Sequence, residues 1–299
     1  MLLFASGATS ARVAFAGDSR RSAAQFLRFA ALVAVPSILL AAATGIALRQ
    51  FDPWELLLVS NWLQASRVAL FPIWYTQVMV QIMIGLAVLF PLLHLTERIR
   101  ARPTATIGAL FAVALAAAAV SKLMWDTTEL ADKLPHLVLW NLLAGWLYWA
   151  VMVRREAAPT ERAALLAVLA GTAGLMYLVL PAVYGTARFT WLAAALVLTV
   201  AVPELRLPRL ARHVLLLINN GTFFVFLFHY YVFSAITNIE ARLGIGQHYP
   251  GATALRFAAG LVVPIAGWVV ITATRRAWQT TGVRETMLAR RRVVPAAAG

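Results

Sequence analysis

The sequence predicts an all-α fold, a polytopic transmembrane helical bundle with about eight full spans and a partial N-terminal helix. Composition is the first reason: 62% of the 299 residues are hydrophobic and 13% are charged, whereas soluble domains carry about 25% charged residues. The second reason is that apolar residues form runs of about 20, the length that crosses a ~30 Å hydrocarbon layer. A third is that charge alternates from one connecting segment to the next.

Charged residues mark the limits of the apolar runs in chain order. A short apolar piece, 1–16, comes first. The next run starts at Arg28 and stops before Arg49, and charged segments separate most of the later runs. The predicted spans are 28–48, 71–93, 104–124, 135–153, 163–181, 189–203, 213–235 and 253–274. They form one membrane domain over 1–283, followed by a basic tail, 284–299. Its lack of apolar periodicity predicts either disorder or contact with anionic lipid.

Basic residues alternate between the two sides of the predicted bundle. Nineteen of the 26 lie before the first full span, in three short loops or near the C-terminus, all on one side. The other side carries the remaining seven, together with six acidic residues. Because Lys and Arg collect in cytoplasmic loops, we expect the arginine-rich side and the C-terminus to be cytoplasmic, in a bacterial inner (plasma) membrane. The net charge of +14 therefore indicates membrane lipid as a partner and not nucleic acid.

Few residues are available for chemistry. The chain has no cysteine, which excludes a thiol nucleophile and thiolate metal sites. Mid-span charged residues are also lacking, which argues against ion-coupled transport. Two histidines, His94 and His213, fall on the cytoplasmic side, and His136, His229 and His248 fall on the other, without a metal-ligand spacing; no metal site is predicted. His229 is a candidate general base, and the alternative is a structural, interfacial histidine.

Several polar or small residues lie inside the spans. Asn219, Asn220 and Thr222 form a polar cluster that either bonds across helices or marks a cavity. Gln77 and Gln81 are four residues apart and share a helix face, which we expect to point into the bundle or a wet pocket. Gly145 would permit close approach of a neighbouring helix.

Five segments of the chain resemble the acyltransferase 3 family of membrane acyltransferases. FPIWYTQVMVQIMIGLAVLFPLL, 71–93, is similar to its WF-type span, and PHLVLWNLLAGWLYWAV, 135–151, to its F-x-x-G-x span. NNGTFFVFLFHYYVF, 219–233, resembles the late S-Y-x-x-Y-L-x-H segment, with His229 in the His position. LLFASGATSA, 2–11, resembles the second helix, where Ser6 and Gly7 match a Ser-Gly pair. FLRFAALVAVPSILL, 26–40, resembles the helix that follows.

The resemblance implies an integral membrane acyltransferase without a bound cofactor. Such an enzyme moves an acyl group from a cytoplasmic thioester donor, acyl-CoA, to a hydroxyl of a glycan or lipid-linked acceptor. On this basis Arg28 would bind the CoA phosphates. The other substrate-binding candidates are Ser6, Trp74, Tyr75 and Asn220. His229 would line the acceptor pocket and is the one catalytic candidate that this chain offers.

The sequence also departs from the family pattern. The family's first helix, with a basic residue and the His to which catalysis is assigned, has no counterpart, and the chain starts at what resembles the second helix. Ala30 and Val33 stand where the family has an Arg-x-x-Arg pair before Pro36. We therefore expect either a start codon assigned too late or a catalytically inactive relative that serves as a partner subunit. A small-molecule transporter or exporter is the remaining alternative.

Overall fold

A computed structural model describes most of the chain. The described residues are 2–49, 52–63, 74–125, 134–153, 157–179, 194–195, 197–202, 207–244, 249 and 251–293. Every regular element within them is helical and none is a strand. The predicted all-α class is thus confirmed.

Ten helices are defined in these ranges, and short helical turns accompany them. The helices are α1 (Leu2–Ala14), α2 (Ser19–Leu48), α3 (Pro53–Leu56), α4 (Trp74–Leu92), α5 (Leu95–Ala101), α6 (Pro103–Met124), α7 (Pro135–Tyr148), α8 (Pro159–Val179), α9 (Arg209–Arg242) and α10 (Ala252–Val293). A 3₁₀ turn, Ser60–Trp62, follows α3, and a π-helical turn, Trp149–Val153, continues α7. The predicted tail, 284–299, begins within α10.

Five stretches of the described helices are long and apolar enough to cross a bilayer. They are Ser19–Ile46, Tyr75–Leu92, Pro103–Met124, Pro135–Val153 and Ala252–Thr274. Large apolar side chains on them face outward: Leu39, Val113 and Val262 are 65%, 68% and 61% exposed. Hydrocarbon accommodates such a surface and water does not, which supports a multi-pass membrane protein. The predicted spans 163–181, 189–203 and 213–235 are not among the five, and part of 189–203 lies outside the described residues.

The helix starts follow from local chemistry. Asp18 caps α2, accepting a hydrogen bond from the Arg21 backbone N–H at 2.7 Å. This cap explains why α2 begins nine residues before the predicted start of that span, at 28. Proline opens α3, α6 and α7, where its missing N–H would have no intrahelical partner anyway.

The chain divides into two compact units, Met1–Leu205 and Arg206–Gly299. In the first unit α2 packs on α4, and α7 packs on both α1 and α6. Trp146 of α7 is fully buried at the centre of this packing. Its ring lies 5.2 Å from that of Phe15 and 5.8 Å from that of Phe90, both edge-to-face, and its Nε1–H donates to Ser10 Oγ at 3.1 Å.

Two glycines bring α1 and α7 into backbone contact. A Cβ added to Gly145 would lie 2.7 Å from the Ala8 amide nitrogen and 3.0 Å from Gly7 Cα, with the Phe4 carbonyl oxygen closer still. A Cβ on Gly7 would lie 2.9 Å from the Leu142 carbonyl carbon. The predicted close approach at Gly145 is therefore confirmed.

Polar contacts at one end of the first unit tie the start of α2 to α5. The Ser19 amide donates to Glu97 Oε1 at 3.1 Å, and the Ser19 hydroxyl donates to the other Glu97 oxygen. These hydrogen bonds lower the pKa of Glu97. Arg100 donates to the Gly17 carbonyl. We call this end, which also carries Arg98, the arginine-rich end.

The second unit pairs α9 with α10. Gly260 lies against the Phe233 ring, and a Cβ added to Gly260 would overlap that ring. In the last turn of α9, Glu240 accepts hydrogen bonds from Arg256 and, at 2.9 Å, from the Tyr249 hydroxyl. These contacts lower the pKa of Glu240 and connect the end of α9 to the start of α10.

Candidate functional site

A serine–histidine pair lies away from the arginine-rich end of the first unit. Ser121, in the last turn of α6, lies 2.9 Å (Oγ to Nε2) from His136, in the first turn of α7. Ser121 is buried and His136 is half-buried. A hydroxyl at this distance from an imidazole nitrogen is placed to exchange a proton with it.

A group of amide side chains lies near this pair. The amide cluster comprises Ser60, Asn61, Trp62, Gln77 and Gln81. The Gln77 side chain donates to Ser60 Oγ at 2.7 Å and accepts from the backbone N–H of Asn61 at 3.2 Å. Gln81 donates to Asn61 Oδ1 at 2.8 Å and to the Leu58 carbonyl at 2.6 Å. The predicted inward orientation is confirmed for Gln77, which is 1% exposed.

Trp62 connects the amide cluster to the histidine. Its Nε1–H donates to Gln81 Oε1 at 3.0 Å, and its ring centroid lies 5.8 Å from that of His136 at an interplanar angle of 37°. Since Gln81 holds the indole by its polar edge, the ring is kept beside the imidazole. The pair and the amide cluster therefore form one site, built from α4, α6, α7 and the segment after α3.

Replacing Gln81 tests how firmly the amide cluster holds this segment. Gln81→Leu keeps the volume but removes hydrogen bonds to the Asn61 side chain, the buried Leu58 carbonyl and the Trp62 Nε1–H. We expect a loss of roughly 1–3 kcal/mol in the free energy of unfolding, the usual cost of an unsatisfied buried group, and faster amide exchange over residues 57–63. Gln25→Leu is the matched control, because Gln25 Oε1 is buried without a hydrogen-bond partner among the described residues. Equal stability of both variants would contradict the anchoring role.

Two of the predicted binding residues meet in the structure. Ser6 Oγ of α1 lies 3.2 Å from Tyr75 Oη of α4. The next residue, Gly7, packs on Leu142, which is six residues from His136 and so about 9 Å away along α7. The contact thus brings together residues that the family resemblance selected independently, near the serine–histidine pair.

The other predicted binding residues are Arg28, Trp74 and Asn220. Arg28 is exposed on α2, nine residues from Ser19, or about 14 Å along the helix from the arginine-rich end. Trp74 starts α4 and Asn220 lies within α9, but their side chains are outside the described part of the structure. Their assignments, like that of Arg28, stay predictions.

His229 lies in the second unit. Its Nδ1 is 3.0 Å from the Val225 carbonyl oxygen, and its ring contacts Phe233 edge-on at 5.7 Å. Since a carbonyl only accepts, Nδ1 must donate, and the neutral ring then carries its lone pair on Nε2. His213 makes the same bond to the Arg209 carbonyl at 2.8 Å. The tautomer suits a base, but the geometry does not single out His229.

Glu55 is a further acidic group in the segment that leads to the amide cluster. It lies in α3 and is buried. Burial, with a contribution from the charge of Asp52, raises the pKa of Glu55 to about 7. A carboxyl group with such a pKa can give or take a proton near neutrality.

The raised pKa predicts a pH-dependent stability. Because the folded pKa of about 7 exceeds the ordinary value of 4.5, the native state retains a proton that the unfolded chain loses in this window. The free energy of unfolding should therefore fall as the pH rises from 4.5 to 7. Melting temperatures of the wild type and of Glu55→Gln across this range provide the measurement. A wild-type slope no steeper than that of the neutral variant would contradict the assignment.

Sequence reasoning missed Ser121 and Asn61 and did not single out His136 among the histidines. A signal for the pair was present: Ser121 is near the end of one predicted span, 104–124, and His136 near the start of the next, 135–153. Antiparallel neighbours joined by a short connection bring such residues to the same level. Asn61 had no comparable signal, because its partners lie 16 and 20 residues away on α4.

The described residues contain no group of three or more His, Asp or Glu side chains arranged to hold a metal ion. The fold defines the class of protein, an α-helical protein with several apolar helices suited to a membrane. No protein-family model matches the chain, and neither a curated protein nor a solved structure is significantly similar to it. The functional argument therefore depends on the site itself.

Proposed function

We propose that this protein is an integral membrane acyltransferase that moves an acyl group from a cytoplasmic thioester, acyl-CoA, to a hydroxyl of a glycan or lipid-linked acceptor. The serine–histidine pair is the observation that carries the proposal. Acyl transfer to oxygen requires a base that removes a hydroxyl proton, and His136 has a hydroxyl 2.9 Å from Nε2. The family resemblance supplies the donor and acceptor classes.

The proposal includes an orientation. The chain crosses a bacterial inner membrane about eight times, with the arginine-rich end and the C-terminus in the cytoplasm. Arg28 then reaches the CoA phosphates from the cytoplasmic half of α2, its exposed side chain extending toward the headgroups. The Ser6–Tyr75 contact serves the acceptor, and the serine–histidine pair lies where the acyl group of the donor meets the acceptor hydroxyl. Gln77 is fifteen residues from Leu92, so the amide cluster and the cytoplasmic end of α4 are about 22 Å apart.

Membrane vesicles from bacteria that produce the protein provide the test. The vesicles are incubated with radiolabelled acetyl-CoA or butyryl-CoA, and label is counted in the lipid and glycan fractions. We expect incorporation above that of vesicles without the protein, with release of free CoA thiol. If neither thioester is consumed and neither fraction is labelled, the acyltransferase proposal is wrong.

A further inference from the structure

The serine of the pair bonds differently from several other hydroxyl side chains in the apolar helices. Ser37, Thr44 and Thr272 each donate to the carbonyl four residues earlier in their own helix, at 2.8, 3.0 and 2.8 Å. That bond is the default for a hydroxyl in a membrane helix. Ser121 instead has its hydroxyl beside the imidazole of the next helix. Its partner is therefore a group that can accept a proton.

The same geometry decides which proton the histidine would remove. His136 Nε2 is directed at Ser121 Oγ, so an Nε2 lone pair meets the serine hydroxyl before any hydroxyl from solution. The Trp62 ring beside the imidazole limits its rotation. A nucleophile within 2.6–3.2 Å of a base held by a further group is the general arrangement of covalent catalysis.

From this arrangement we infer that Ser121 is a nucleophile, activated by His136, that carries the acyl group as an ester between the donor and the acceptor. The inference rests on the proposed function. It assigns the covalent step to a residue that is buried, 8% exposed, where little water competes for the ester.

The reaction balances in two steps. Ser121 Oγ attacks the thioester carbonyl, its proton passes to His136 Nε2, the C–S bond breaks, and the thiolate leaves as a thiol with that proton. The acceptor hydroxyl then attacks the Ser121 ester, gives its proton to His136, and the regenerated Ser121 oxygen takes the proton back. Ping-pong kinetics are the expected signature.

An alkyl fluorophosphonate tests the inference without knowledge of the acyl group. This probe phosphonylates activated serines, and peptide mass spectrometry locates the adduct in the full-length protein in lipid nanodiscs. We expect an adduct on Ser121 and labelling that falls by about 10²-fold or more in His136→Gln, in line with loss of a general base. Ser37→Ala is the control, because Ser37 is also a buried helical serine but bonds its own backbone. It should leave the labelling of Ser121 unchanged.

Each outcome is decisive because folding is measured separately. If His136→Gln and wild type melt alike and label alike, or if the folded wild type gains no adduct on Ser121, the inference is overturned. If Ser121 is labelled but no thioester is consumed, Ser121 keeps its role as a nucleophile and acyl-CoA is rejected as the donor. Acyl transfer that survives Ser121→Ala would retain the proposed function and reject the covalent step.

Discussion

His136→Gln is expected to lower the rate of acyl transfer by about 10²–10⁴-fold, the usual contribution of a general base. Glutamine retains a hydrogen-bonding side chain toward Ser121 but cannot take up a proton near neutrality. The loss should therefore appear in kcat rather than in thermal stability. The rate at which the protein in nanodiscs releases CoA thiol, measured as a function of acyl-CoA concentration, gives kcat.

His213→Gln is the matched control for this experiment. His213 is exposed and bonds a backbone carbonyl, so its replacement should leave the rate within a few-fold of wild type. His229→Gln tests the competing assignment that the family resemblance suggests. Loss of activity in His229→Gln with full activity in His136→Gln would transfer the role of base to His229 and reject the site described for α6 and α7.

Gly145→Ala is expected to cause a large loss of stability in the first unit. The new Cβ would meet the Ala8 amide nitrogen at 2.7 Å and the Phe4 carbonyl oxygen. Backbone atoms cannot rotate away, so α1 must separate from α7. We expect a loss of roughly 1–3 kcal/mol, typical of an overpacked core, measured as a lower melting temperature in detergent or nanodiscs.

Gly171→Ala supplies the control for the packing argument. Gly171 lies in α8, and an added Cβ there would meet no atom within 4 Å. Because alanine has the higher helix propensity, by about 1 kcal/mol, this variant should be neutral or slightly stabilised. Similar melting temperatures for the two variants would show that the contact at Gly145 is not as tight as described. Since α1 also carries Ser6, Gly145→Ala should in addition weaken the Ser6–Tyr75 contact.

Local patterns predicted those features that depend on one helix alone. The four-residue spacing of Gln77 and Gln81 placed both on one face, and in the structure both bind the segment after α3. Gly145 was expected at a close helix approach and lies at one. The apolar run alone predicts a span from residue 28, but α2 begins nine residues earlier because Asp18 caps it ahead of that run.

Contacts between distant residues could not be obtained in this way. Ser6 and Tyr75 were each selected by resemblance, but nothing in the sequence indicated that their hydroxyls would lie 3.2 Å apart. The pairing of Trp62 with both Gln81 and His136 likewise requires three segments to come together. Such pairs depend on the rotation and relative depth of neighbouring helices, which side-chain packing determines.

The amino-acid sequence is sufficient to predict an all-α protein that is rich in apolar helices. Hydrocarbon offers no hydrogen-bond partners, so a spanning segment must satisfy its backbone within its own helix, and a local pattern is enough to predict that. Which of the few polar side chains contact one another depends on the tertiary packing of the helices. Ser121 and His136 belong to different helices, and their 2.9 Å contact exists because α6 and α7 pack side by side with those two helix ends together. The proposed chemistry follows from that non-local packing.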